Sequence, residues 1–435
     1  MSASRAWRGA VRSPWCLAFL IAWVALTAIF GFRSNELDKC YFKGAEAYAV
    51  GADPFAPTAD GIGLWRYPPA MLLTAAPMAW VPGWMARVGW GAVLAFSLIG
   101  SAWCIVRVAL DGVADPRERR RRAIALLIAL AMAHQLILSP LTYFSHDLLI
   151  ASALALALFA TVARREVSAG AALGIGAALK VTPGLFAAML LIERRWRALL
   201  AMCVIGAALT VLPDLLRGSM SGPLVRSFAT MATGAADVTT AGGGLWEPWN
   251  PLAQNLSATM TRWTIPTPPG PRDVNQHDWS IVHLDAPTRA AAIAGASLLV
   301  LGGAISVVLL GGRSGRTRSA LSRLNEWGAI ACAMVLLAPH SSNYHFAIEY
   351  FAIASCVIVA MERRDRIMIA VIVVLALLGL PSGRDLIGNY AVEVMLIEGK
   401  LTIGALVALT GCVRAAILLR REDANSSSPQ SATTA

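Results

Sequence analysis

The sequence predicts an all-α polytopic membrane protein: one bundle of about twelve transmembrane helices, some interrupted, with its larger polar loops on one face. Three observations carry this. Charge is scarce: 14% of the 435 residues are charged and 57% are hydrophobic, with mean hydropathy +0.60. That is too little charge to coat a water-facing surface. The apolar residues are segregated into runs such as 15–32, 88–110, 291–310 and 367–380, near the roughly 20 residues a helix needs to cross a bilayer and shorter where it meets a cavity. The basic residues stand in clusters between those runs: Arg5/Arg8/Arg12, Arg117–Arg122, Arg164/Arg165, Arg194/Arg195/Arg197, Arg313–Arg323, Arg363/Arg364/Arg366 and Arg420/Arg421. The positive-inside rule makes them cytoplasmic anchors. The net charge of +11 is thereby explained without nucleic acid, for which the chain has no basic soluble domain.

The elements follow in order. The run 15–32 lacks an Ala-x-Ala-like exit and leads into charged residues, so it reads as a retained signal anchor that exits near Arg33. Residues 67–82 are apolar but short and Pro-punctuated; crossing there would put Arg117–Arg122 outside, so the segment reads as re-entrant or surface-lying. Crossings follow at 88–110 (inward), 123–139 (outward) and 147–163 (inward). Residues 168–192 are interrupted at Lys180-Val181-Thr182-Pro183 and have basic flanks at both ends, so they go out and return as two short pieces. Residues 199–212 exit, 289–310 return, and three more crossings precede the last, 401–419. Residues 1–421 form one domain with outer loops at about 33–66 and 213–287, and residues 422–435 read as a disordered cytoplasmic tail. Of seven cysteines, only Cys40 falls outside an apolar run; this is neither a disulfide framework nor a metal-ligand spacing.

Four constellations on the predicted outer side can carry chemistry. Asp38 follows the first span, and on a helix it shares a face with Tyr41 and Ala45 while Glu36 turns away; it is a candidate general base or, in the bland reading, a solvated loop charge. Lys180 closes an apolar run at a helix break. An intramembrane charge marks a functional or partnered group, and a lysine facing a cavity suits a phosphate; the alternative is a snorkelling side chain. Pro339–His345 reads as a polar outer turn. His340 and His345 are not on one helical face and have no third ligand, so anion contact or hydrogen bonding is favoured over a metal site. Trp246–Pro251 with Gln254, Asn255 and Ser257 offers rings and amides to sugars, although Trp also populates any membrane interface. There is no phosphate-binding Gly-x-x-x-x-Gly-Lys-Ser/Thr loop, no Gly-x-Ser-x-Gly elbow and no His-Glu-x-x-His, which disfavours a nucleotide-driven pump and a zinc protease.

In this order the pieces resemble the family-87 glycosyltransferases, polytopic enzymes of the GT-C class. The resemblance rests on Asp38 and Tyr41, Gly51–Phe55, Tyr67-Pro68-Pro69 with Pro77, Gly170–Pro183 with Lys180, Arg194-Arg195-Trp196, Asn250–Ser257, and Pro339–His345. It implies a GT-C-like bundle in a bacterial plasma membrane, with the active site on the outer, periplasmic face. Asp38 becomes the catalytic base. Lys180, His345 and Arg66 hold a lipid phosphate, and Tyr41, Tyr67, His340, Gln254 and Asn255 complete the substrate contacts. The partners implied are a polyprenyl-phosphate sugar donor, a lipid or glycan acceptor and membrane lipid. No cofactor or metal is implied. The expected reaction is transfer of a hexose, mannose first, with inversion. Two family features are absent: Ser341-Ser342 and Tyr344-His345 stand where a Ser-Trp and a His pair are usual, and no Gly-Gln element is recognisable near Ser145-His146-Asp147. An arabinofuranosyl or other lipid-linked-sugar transferase is the alternative. A lipid or solute transporter ranks lower, because the halves show no internal repeat and a loop of about 70 residues serves it poorly.

Overall fold

A computed structural model describes residues 37–56, 65–217, 223–235, 248–268, 277–312, 318–379 and 387–425. The expected first span, Glu36, Arg313 and Trp246 lie outside them. Among the described residues there are helices and turns and no strand. A π-helical turn, Leu37–Phe42, feeds α1 (Lys43–Ala49). α2 (Ala70–Ala75) continues as a 3₁₀ turn, Ala76–Trp80. Then come α3 (Gly83–Ala109), α4 (Pro116–Thr142), α5 (Asp147–Val162) and α6 (Glu166–Leu179). A 3₁₀ turn, Thr182–Leu185, leads to α7 (Phe186–Ile192), α8 (Trp196–Leu216) and α9 (Pro223–Ala235). α10 (Leu256–Thr264) precedes α11 (Ala286–Gly312) and α12 (Ala320–Leu337). The 3₁₀ stretch Asn343–Glu349 opens α13 (Tyr350–Arg363), followed by α14 (Arg366–Gly379), α15 (Asn389–Ile397) and α16 (Lys400–Asn425).

Seven of these are long and apolar enough to cross a membrane: α3, α4, α8, α11, α12, Asn343–Arg363 and α16. Four shorter apolar pieces, α5, α6, Thr182–Ile192 and α14, stand where the remaining crossings after residue 33 are expected. At 1.5 Å per residue, the 14 residues of α6 extend about 21 Å against a hydrocarbon core of about 30 Å. Short helices with unwound ends are tolerated at depth only where protein or a water-filled cavity satisfies the backbone. Ala70–Trp80, another short apolar piece, is about half a span long, as a re-entrant element would be.

Small residues set the closest packing. A Cβ on Gly170 would lie 2.0 Å from the Ala198 carbonyl oxygen, and one on Gly174 would lie 2.6 Å from that of Met202. The backbones of α6 and α8 therefore touch, as small-residue stripes allow in membranes. Beyond its polar start (Ser322, Arg323, Asn325 and Glu326), α12 is apolar on every side and buried as far as Leu336, so it forms the centre of the bundle.

The arginine clusters meet at one end. Arg122, Arg164, Arg194, Arg195, Arg318 and Arg323 line one cavity of about 980 Å³. There Glu193 accepts from both Arg318 and Arg323, and Arg122 binds Glu362 at 2.7 Å. Three short turns at basic clusters are left-handed at arginine: φ is 57° at Arg164, 56° at Arg194 and 52° at Arg364.

Pro213 does not end the helix before it, as the expected loop start implied. It lies inside α8, which runs to Leu216, and the buried Asp214 accepts from the backbone N–H of Leu224 and Val225 at 3.3 Å each. The first loop packs on this corner: the Tyr48 hydroxyl donates to the Pro213 carbonyl at 3.0 Å, and Ser227 Oγ donates to Asp53 Oδ2 at 2.7 Å.

Candidate active site

Three backbone breaks converge on one cluster. The first is the turn between α4 and α5, where buried Phe144 adopts φ 55°. Such strain persists only where surroundings enforce it; here Trp90 Nε1 donates to the Phe144 carbonyl at 2.9 Å. The turn delivers Ser145, His146 and Asp147 to the start of α5. The second is the break after α6, where extended backbone at Lys180 (φ −156°, ψ 126°) lets the side chain leave the helix before Pro183 re-forms a turn. The third is Ser342, whose side chain and His345 form a reciprocal cap on Asn343–Glu349.

Asp147 is the hub. Lys180 Nζ lies 2.7 Å from its Oδ1, and Ser145 Oγ donates to its Oδ2 at 2.5 Å. His345 Nε2 lies 3.7 Å from Oδ2, while His345 Nδ1 accepts from the Ser342 N–H at 3.0 Å. The Asp147 side chain is 4% exposed and that of Lys180 15%. A buried ion pair of this kind is held by geometry and supporting hydrogen bonds, since desolvation opposes it.

An aromatic wall closes the other side. Tyr41 stacks on Tyr67 with ring centroids 5.5 Å apart, and Trp65 meets both edge-on at 6.1 and 5.5 Å. Gly44 makes this possible, because a Cβ there would fall 2.1 Å from the Trp65 ring. The Tyr41 hydroxyl lies 2.9 Å from His146 Nδ1 and accepts from the His146 N–H at 3.2 Å. Tyr67 meets the His146 ring edge-on at 4.4 Å. The other ring nitrogen, Nε2, is buried without a hydrogen-bond partner among the described residues.

The structure thus brings Tyr41, Tyr67, Lys180 and His345 together. Asp38 lies in the turn that carries Tyr41, but its side chain falls outside the described residues. Arg66 adjoins Tyr67, and its charge, after burial, helps hold His340 below the usual histidine pKa. Three expectations change. The turn Pro339–His345 is not a polar surface turn: Ser341, Ser342 and His345 are buried. Asn255 and Gln254 clamp it, Asn255 Nδ2 donating to the Pro339 carbonyl and the Gln254 N–H to the Ser341 carbonyl at 2.7 Å. The Asn255 amide and the Gln254 Nε2 are thereby committed to the main chain, while Gln254 Oε1 is buried without a hydrogen-bond partner among the described residues. Gln254 Nε2 donates to Pro251 at 2.7 Å and Leu396 at 2.6 Å, and Asn255 Oδ1 caps α10 by accepting from the Ala258 N–H at 2.7 Å. Lys180 is neither a free point charge nor a snorkelling one, since Asp147 holds it. His146 and Asp147, which sequence reasoning passed over, lie at the centre; the available signal was an acidic residue opening an otherwise uncharged run. Among the described residues no three His, Cys, Asp or Glu side chains converge as metal ligands.

An anionic group can be held here by the two ammonium protons that Asp147 leaves free, beside an imidazole Nε2 and under aromatic faces that suit a sugar ring. The chain is similar to the polyprenol-phosphate-mannose-dependent alpha-(1-2)-phosphatidylinositol mannoside mannosyltransferase of Mycobacterium tuberculosis. The two are 30% identical over 220 residues, 46% of this chain and 51% of the relative, so the match spans about half the length of that protein. Crystal structures of ArnT from Cupriavidus metallidurans superpose with TM-scores of 0.41 in the apo state and 0.42 bound to undecaprenyl phosphate. Their identities are 15% and 14%, covering 93% and 94% of this chain and 77% and 78% of theirs. Residues 65–339, more than half the sequence and including Tyr67, His146, Asp147 and Lys180, match glycosyltransferase family 87. The chain is a membrane-embedded member of glycosyltransferase family 87.

Proposed function

We propose that this enzyme transfers a hexose, mannose in the first instance, from a polyprenyl-phosphate donor to a lipid or glycan acceptor on the non-cytoplasmic face, inverting the anomeric centre. The observation that carries the reading is Lys180 at a helix break, 2.7 Å from Asp147 and beside His345 and the Tyr41–Tyr67 wall. A lipid-linked donor needs a cationic contact for its phosphate at membrane depth, and this is the cationic group that the broken helix delivers there. The similarity to a polyprenol-phosphate-mannose-dependent enzyme supports the same donor class.

In this mechanism Asp38 takes the proton from an acceptor hydroxyl as the oxygen attacks the anomeric carbon. The bond from that carbon to the phosphate oxygen breaks, and the phosphate leaves with its negative charge. Lys180, His345 and Arg66 stabilise the departing charge, Asp147 fixing the first two before substrate arrives. Displacement from one face inverts the centre. Tyr41 and Tyr67 pack against the sugar, and His340, with its lowered pKa, contributes as a neutral hydrogen-bonding group. Gln254 and Asn255 shape the turn that carries His345. The active site faces the periplasm of a bacterial plasma membrane, and an arabinofuranosyl donor would use the same groups. Purified protein incubated with labelled polyprenyl-phosphate mannose and a lipid extract tests the reading; transfer of label into an extractable product is expected, and its absence with every polyprenyl-phosphate sugar would refute it.

A further inference from the structure

Beside the candidate active site lies a second cavity, of about 380 Å³, within the range of small-molecule sites. It is bounded by α4, the Asn343–Glu349 stretch, α13, α14, α15 and α16. Leu136, Ile353, Leu375 and Leu401 give it apolar walls, yet Ser139, Glu349 and Lys400 also line it. Two of these polar groups are unsatisfied. Glu349 is 2% exposed and, among the described residues, its Oε1 has no hydrogen-bond partner; Ser139 Oγ is likewise buried without one there. Lys400 is 7% exposed and, among the described residues, forms an ion pair with neither Glu349 nor any other carboxylate. A buried carboxyl left without partners opposes folding, and native proteins seldom keep one without use. Two unfilled hydrogen-bonding positions in one cavity point to a ligand that carries several hydroxyls.

A chain of ring contacts links the cavity wall to the reaction centre. Its wall residue Tyr143 packs on Tyr344 with ring centroids 5.6 Å apart, and Tyr344 meets His345 edge-on at 4.5 Å. Resting on the transferase reading above, we propose that this cavity holds the polyhydroxylated head of the sugar acceptor, with Glu349 and Ser139 binding its hydroxyls. The apolar wall beneath them accommodates the first carbons of a lipid-borne acceptor. A glycan free of lipid shares the hydroxyl chemistry, and the experiment separates the two.

The test has two arms. In the first, acceptor and donor are titrated separately for Glu349→Gln and Ser139→Ala. The acceptor KM should rise several-fold to about tenfold in Glu349→Gln, which keeps one acceptor oxygen but puts an NH₂ in place of the other, the usual cost of disturbing one buried hydrogen bond. The donor KM should stay at the wild-type value. The melting temperature should hold or rise, because the change removes a buried unpaired acid. An unchanged acceptor KM in folded Glu349→Gln, or an equal rise in both KM values, overturns the proposal. The second arm needs no catalysis: wild-type protein is photolabelled with a diazirine-bearing alkyl mannoside and the adducts are mapped by mass spectrometry. Labelling confined to α4, the Asn343–Glu349 stretch and α16 around Ser139, Glu349 and Lys400, and absent when Glu349 is replaced by Leu, is the expected result. Labelling elsewhere overturns the assignment. Competition by methyl mannoside as well as octyl mannoside assigns a free glycan, and competition by octyl mannoside alone assigns a lipid-borne one. If wild type transfers no sugar while the cavity still labels, the transferase reading fails and the polyol site stands.

Discussion

Asp147 and Lys180 form a pair whose members cannot be judged singly. Removing one partner of a buried ion pair typically costs 3–5 kcal/mol, whereas replacing both with apolar groups is often neutral. Asp147→Leu and Lys180→Met should each lower the melting temperature of the purified protein, and the double variant should recover much of the loss; this cycle measures the structural share. The catalytic share appears elsewhere. Lys180→Met keeps the stem and removes only the ammonium, so turnover should fall with every polyprenyl-phosphate donor while Lys180→Arg retains part of it. Near-normal turnover in Lys180→Met would dismiss the phosphate role and leave His345 and Arg66. Asp38→Asn should lower transfer by about 10²–10⁴-fold with donor binding retained, the usual cost of losing a general base. Wild-type turnover in that variant would move attention to Glu36 or to Asp53, whose carboxylate accepts from Ser227.

At the level of elements, much of the molecule is legible because hydropathy and punctuation are local signals. The run expected at 88–110 is α3, 147–163 is α5, and the break at Lys180–Pro183 separates α6 from the turn that opens α7. What is not local is not legible. The Tyr41 hydroxyl meets His146 across 105 residues of sequence, and Lys180 meets Asp147 across 33; no periodicity encodes such partners. Ser341 and Ser342 look like surface residues because they are small and polar, and only the clamp from Gln254 and Asn255 shows why they are buried. The glycines read more plainly. Gly170→Leu would drive a side chain into the Ala198 carbonyl, and should separate α6 from α8 and displace Lys180 at the far end of α6. Loss of expression or a marked fall in melting temperature is expected, with Gly295→Leu, where nothing lies within 4 Å, as the tolerated control.

The whole molecule has two chemically distinct ends, the arginine-lined cavity and the aromatic cluster around His146. Orientation follows if the first is cytoplasmic. Single cysteines at Gly51 and Val282 should react with an impermeant thiol reagent from outside, and those at Arg120 and Arg194 should not. Both outer positions are exposed, whereas Ser341 is buried and would report burial in place of side. Labelling of position 120 from outside would turn Ala70–Trp80 into a crossing and shift every later helix.

The left-handed arginines have a consequence for biogenesis. A tight turn between two helices normally takes glycine at its left-handed position, because other residues pay roughly 1 kcal/mol or more there. Arg164, Arg194 and Arg364 accept that strain, and each places a positive charge at the hairpin apex, the position that an insertion machinery samples as it decides which way a helix pair faces. Arg194→Gly should therefore produce a hairpin that is locally more relaxed in the finished fold and yet inserts the wrong way more often. A glycosylation-site reporter placed in the α7–α8 turn would score the inverted fraction, and a rise in it alongside an unchanged or higher melting temperature is the expected pairing. That pairing would show native stability traded against fidelity of insertion at such a turn.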